Sequence, residues 1–158
     1  MKRLFELLII TFSLLLFGCS NSKEELIESK SLLQEISFDY EDVNEYHIEW
    51  SQLLTLDNHY YAYIYSPTCG HCRDIKKDMI KARIIYKIEV YYIKYNKDIK
   101  IVDSNEGLVG VNDIKKLGIL GTPSLFEIDN HETKNYYAGK TEIINTMTNL
   151  YEVGIENI

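Results

Sequence analysis

No stretch of this chain is strongly basic. Of its 158 residues 17 are Lys or Arg and 24 are Asp or Glu, a formal charge of −7, and its lysines are scattered beyond the initial Lys2-Arg3. A nucleic-acid partner needs a basic patch to neutralise phosphates, so that class is excluded. Long apolar runs are lacking too: the one from Leu7 to Phe17 is too short for an ordinary membrane span. Internal repeats, low-complexity tracts and a phosphate-binding glycine pattern are absent; the glycines between Asp103 and Gly110 punctuate a loop. Two prolines and a single Trp stand against thirteen tyrosines, an imbalance with no functional account at this level. Only three cysteines and four histidines are present, which bears on any metal site.

What is present suffices for a core: 46% hydrophobic and 26% charged residues are ordinary for a globular protein of one domain. Met1-Lys2-Arg3 followed by the apolar run has the form of a signal peptide over residues 1–18. Its end, Leu16-Phe17-Gly18-Cys19, resembles the bacterial lipoprotein box, which implies lipidation of Cys19 and attachment to the extracytoplasmic face of the cell membrane. An uncleaved anchor with a chance cysteine is the alternative. Either reading puts the domain where disulfides persist. Without residues 1–18 the chain keeps 15 basic and 23 acidic residues, a charge of −8. Residues 19–37 read as a membrane-proximal helical linker, with capping-box spacing in Ser22-Lys23-Glu24-Glu25.

The domain is expected over residues 38–158, its fold proper starting near Val43. Tyr46, Ile48 and Trp50 alternate as in a strand, and residues 51–54 suggest a short helix. From His59 to Tyr65 both alternating faces are apolar or aromatic, the mark of a strand buried on two sides. Cys72, Ile75, Met79, Ala82 and Tyr86 recur at helical spacing, so Cys72 points inward while Cys69 sits at the helix mouth. A strand over Glu89–Tyr95 should run parallel to the first. Asn112 is expected to cap a short helix closed by Gly118. Residues 124–128 and 133–138 should form a hairpin around Asp129-Asn130-His131, and Thr141 should start the last helix.

The chemistry centres on Tyr63-Ile64-Tyr65-Ser66-Pro67-Thr68-Cys69-Gly70-His71-Cys72-Arg73. Unpaired amide N–H groups and the macrodipole at a helix start favour a thiolate, so the Cys69 pKa should fall from ~8.5 to between about 3.5 and 7.5. A protonated His71 would favour it further. A structural disulfide would close only a four-residue loop and stabilise weakly, and tetrahedral zinc would need ligands from distant histidines. Redox exchange is the reading adopted, with no metal and no cofactor.

This run resembles the active site of thioredoxin-fold oxidoreductases, and Cys-Gly-His-Cys is the form typical of protein disulfide isomerases. Ile119-Leu120-Gly121-Thr122-Pro123-Ser124 is similar to that family's cis-proline loop, and Gly139 matches a family glycine. The resemblance, from about Val43 to Ile155, implies an α/β thioredoxin-like fold with a central mixed sheet of four to five strands flanked by helices. It implies Cys69 as nucleophile, Cys72 as resolving thiol, and Gly70 and His71 as tuning residues. Thr122 and Pro123 are then expected to bind an extended substrate segment. Two departures stand out: Tyr63 holds the position where the family commonly has a buried Asp or Glu, and Thr68 replaces a Trp. Tyr63 is read as a core aromatic without a catalytic role; unless a group elsewhere in the fold replaces the missing carboxylate, water must carry the proton and exchange near neutral pH should be slower than in a typical thioredoxin. Isomerase-type sites lie near −180 mV against about −270 mV for thioredoxin, so the Gly-His pair leans toward an oxidant or isomerase, yet a membrane redox partner could equally keep the protein reduced and make it a reductase. Protein or peptide thiols and disulfides are the expected partners. A binding protein for an exported peptide remains the second class, since the chain distantly resembles accessory proteins of bacteriocin export.

Overall fold

In the protein's computed structural model, residues 37–156 are described. The expected signal peptide, most of the expected linker and Cys19 lie outside them. The compact unit begins at Phe38. Its frame is set by β1 (Tyr60–Tyr65), α1 (Gly70–Ile84), β2 (Val90–Lys94), β3 (Ser124–Asp129), β4 (Glu132–Ala138) and α2 (Lys140–Glu156). The strands form one sheet in the order β2-β1-β3-β4. β2 runs parallel to β1, as a helical crossover requires, whereas β3 and β4 run antiparallel to their neighbours.

All six residues of β1 are buried, and alternation assigns them to two cores. Tyr61, Tyr63 and Tyr65 join Val90, Tyr92 and Leu125 against Cys72, Ile75, Met79 and Ile80 of α1 and Ile143 and Met147 of α2. On the opposite face Tyr60, Ala62 and Ile64, with Phe126 and Ile128, meet Leu53, Leu54, Ile99, Leu117 and Ile119. Two α-helices therefore cover one face, and irregular segments with short 3-10 turns cover the other. The segment leaving Tyr65 is held by a strand with partners on both sides, β2 and β3.

Several local expectations need correcting. No strand forms over Tyr46–Trp50. A capping box, in which Asp42 N–H donates to the Asp39 carboxylate and Asp39 N–H donates to the Asp42 carboxylate, starts a 3-10 segment that runs through Tyr46, and Tyr40 N–H also donates to Asp39. What survives of the strand is one parallel bridge from His47 to Tyr92, with Ile48 N–H donating to the Tyr92 carbonyl at 3.0 Å. The next helix shrinks to a 3-10 turn at Trp50–Gln52, where Gln52 takes the Glu49 N–H. Tyr86 leaves the buried stripe because α1 stops at Ile84, and it stacks instead on Tyr151 at 3.9 Å.

Asp113, not Asn112, caps the short turn Ile114–Lys116, accepting from Lys115 N–H. Gly118 does not close that turn. It sits where a Cβ would come within 2.7 Å of Val102 Cγ1 and 2.8 Å of the Lys100 carbonyl, beside the bridge between Ile101 and Ile119. The hairpin is tighter than expected: Asn130 and His131 alone form its turn, with φ of 51° and 62°, the geometry a two-residue connection prefers.

Candidate functional site

Ser66-Pro67-Thr68 leads from β1 into α1. Cys69 N–H donates to the Ser66 carbonyl at 3.1 Å, and the hydroxyls of Ser66 and Thr68 pair at 3.0 Å, which fixes the approach. Cys69 is the N-cap of α1, its sulfur accepting from the Cys72 N–H at 3.2 Å. Its own thiol donates to the Thr122 carbonyl at 3.2 Å. Two segments fifty-three residues apart thus meet at one sulfur. Cys69 is half-buried and Cys72 is 1% exposed, and both are free thiols.

The surroundings split the two thiols electrostatically. Partial burial opposes ionisation of Cys69, but hydrogen bonds from the Cys72 side chain and amide, the Thr122 side chain and the His71 amide outweigh it. Its pKa lies below the ordinary thiol value. Cys72 goes the other way: burial, aided by its bond to Cys69, pushes its pKa up to about 11. One sulfur is the more readily ionised and its neighbour is held as a neutral thiol.

The loop before β3 completes the site. The Thr122–Pro123 peptide is cis, and Gly139 N–H donates to the Pro123 carbonyl at 2.9 Å. Ser124 donates to the Gly121 carbonyl at 2.6 Å and pairs with the Tyr136 hydroxyl at 2.7 Å, while Tyr136 accepts from Leu120 N–H at 2.8 Å. Tyr136 and Ser124 are positioning residues that sequence reasoning missed. A buried serine directly after the loop proline was the available signal for one; nothing in local spacing marked Tyr136. Leu120, 37% exposed, adds apolar surface beside this loop.

Gly70 and His71 occupy the first turn of α1. A Cβ at Gly70 would meet nothing nearer than Arg73 at 4.0 Å, so space does not demand glycine there. The His71 ring is 68% exposed and faces Asp74 at 3.7 Å; Lys140 donates to the same carboxylate at 2.7 Å. It is the His71 backbone amide, not the imidazole, that helps to hold the Cys69 pKa down. Among the described residues no three His, Cys, Asp or Glu side chains converge to hold a metal, and no helix is long and apolar enough to cross a membrane.

The strand order, the dithiol at the start of α1 and the cis-proline loop against it define an α/β domain of thioredoxin-like fold. No family model matches the chain, and no curated protein matches it. Among solved structures it is similar to thioredoxin f2 of Chlamydomonas reinhardtii, at 11% identity over 68% of this chain and 94% of that one, with a TM-score of 0.44. Mitochondrial thioredoxin 3 of Saccharomyces cerevisiae is 16% identical over 71% and 93%, with a TM-score of 0.43. A thioredoxin f2 in complex with ferredoxin:thioredoxin reductase is 15% identical over 68% and 92%, with a TM-score of 0.48. At these identities the likeness is one of fold.

Proposed function

We propose that the protein is a thiol–disulfide oxidoreductase, tethered through lipidated Cys19 to the extracytoplasmic face of the cell membrane. The observation that carries the catalytic reading is the placing of the two thiols: the Cys69 sulfur at the mouth of α1 takes the Cys72 N–H at 3.2 Å and meets the Thr122 carbonyl at 3.2 Å, while Cys72 is 1% exposed. The Cys69 thiolate attacks a substrate disulfide, forming a mixed disulfide and releasing one substrate thiolate. Cys72 then attacks Cys69 and frees the second. Reversed, the same steps oxidise a substrate dithiol. Electrons leave the site through a partner disulfide or enter from a membrane redox protein, and no cofactor takes part.

Thr122 and Pro123 would border the bound segment, because the Thr122 carbonyl already touches the attacking sulfur. Gly70 and His71 would set the potential by keeping an amide N–H aimed at Cys69. The membrane tether rests on the sequence of residues 1–19 alone. Replacing Cys72 with Ala tests the reading. Mixed disulfides through Cys69 should then accumulate with protein partners and be released by dithiothreitol. A Cys72→Ala variant that captures nothing, while Cys69 still reacts with iodoacetamide, would favour a peptide-binding protein whose thiols are incidental.

A further inference from the structure

The exchange reaction proposed above poses a difficulty at its resolving step, and the role of Tyr63 inferred from it rests on that reaction. When Cys72 attacks, a Cys69–Cys72 bond forms and the bond from Cys69 to the substrate sulfur breaks. The departing sulfur takes the electron pair, and the proton shed by Cys72 ends on it, so no outside base or oxidant is consumed. Negative charge must nevertheless pass through Cys72, which lies among Ile75, Met79 and Leu125 and is 1% exposed. A thiolate there has no water to solvate it.

Two tyrosines pack against this place. Tyr63, from the middle of β1, is fully buried, and Tyr40 comes from the 3-10 segment Tyr40–Tyr46. The hydroxyl oxygens of both are buried without a well-formed hydrogen bond. Such orphans are uncommon in folded proteins and call for a reason. Their neighbours in the same aromatic layer are satisfied: Tyr92 donates to the Met79 carbonyl at 2.8 Å, and Tyr65 pairs with His47 at 2.9 Å. The Tyr63 hydroxyl lies within interaction range of both the Cys72 thiol and the Tyr40 hydroxyl. Burial holds both phenols protonated far above neutral pH, so each can donate and neither can serve as a base. The other groups facing them are Tyr65 and Tyr92 from the sheet, the His47 ring edge-on to Tyr40 at 6.3 Å, and Asp39, whose carboxylate is paired with Lys76 at 2.6 Å, the Lys76 ammonium lying 5.9 Å from the centre of the Tyr40 ring.

We infer that the Tyr63 hydroxyl is a hydrogen-bond donor held in reserve for the Cys72 thiolate, with the Tyr40 hydroxyl donating in turn to the Tyr63 oxygen. A neutral thiol is a weak acceptor, which leaves the donor nearly idle in the resting dithiol. Once charge reaches the sulfur, the bond becomes charge-assisted, and it is already aimed. A neutral phenol thus takes the position for which the sequence offered no carboxylate.

Tyr63→Phe in the full chain removes this oxygen and keeps the ring. The ionisation of Cys72 in a Cys69→Ser background needs no substrate, and the lifetime of the mixed disulfide with glutathione reports resolution. Tyr63→Phe should raise the Cys72 pKa by about one unit and prolong the mixed disulfide about ten-fold at pH 7, with the first attack by Cys69 unchanged. Tyr40→Phe should move both in the same direction by less. A merely structural hydroxyl would change only the melting temperature, and an unchanged Cys72 pKa with an unchanged lifetime overturns the inference. Should Tyr63→Phe not fold, an unchanged Cys72 pKa in Tyr40→Phe does so instead. If wild-type protein forms no mixed disulfide at all, the exchange reading fails, while the Cys72 pKa comparison still decides the role of Tyr63.

Discussion

Cys69 ionises against partial burial because amides and side chains at the start of α1 and in the cis-proline loop outweigh the loss of water. Cys72, one turn deeper, has burial as its largest influence and is held as a thiol. The residue at 71 offers two separable influences on that sulfur, a backbone amide that favours the Cys69 thiolate and a ring that faces Asp74. His71→Pro removes the amide donor at a position where a helix tolerates proline, and His71→Ala keeps that donor and removes the ring. The proline variant should raise the Cys69 pKa and make the site more reducing, by about 20–30 mV in a glutathione titration. The alanine variant should move less. Equal shifts in the two would show that the imidazole, not the backbone, does the tuning.

At the scale of elements, β1 explains why so much was legible. Its apolar residues on both faces announced a central strand, and the distance from the dithiol to Pro123 matched a loop that returns beside it. The helical stripe through Cys72, Ile75, Met79 and Ala82 was equally plain, and all four are buried. What escaped depends on contacts remote in sequence. Alternation at Tyr46–Trp50 looked like a strand because the capping box that bends this segment begins earlier, at Asp39. Tyr40 lies before the point where the fold was expected to start, so nothing suggested that it would stack on Tyr65 at 3.7 Å and join the aromatic layer behind the dithiol. Gly118 looked like a helix terminator, whereas its reason is the backbone of Lys100 alongside it. Gly118→Ala should therefore cost about 1–3 kcal/mol by forcing those chains apart, read as a lower denaturation midpoint. A variant as stable as the parent would mean that the loop yields without cost.

For the molecule as a whole, the division of labour runs along the chain. The unit from Phe38 onward carries the site, and the first nineteen residues carry the proposed anchor. Cells fed labelled palmitate should incorporate it into the wild type and lose that label with Cys19→Ser, which should also release the protein from the membrane fraction. Equal labelling of the two would rule out Cys19 as the attachment point. With residues 1–18 removed, the charge of −8 would keep such a domain from adhering to anionic lipid, so the proposed attachment would depend on the acyl chains.

The sealed position of Cys72 has a consequence for damage. Peroxide arriving at this end meets the Cys69 thiolate first and converts it to a sulfenic acid, the stage beyond which oxidation becomes hard to reverse. Cys72, shut away from the same oxidant, survives to condense with it, expelling water and leaving an ordinary disulfide that the cell's reductants can reopen. The burial that makes the second sulfur slow to ionise also keeps it intact as an internal repair partner.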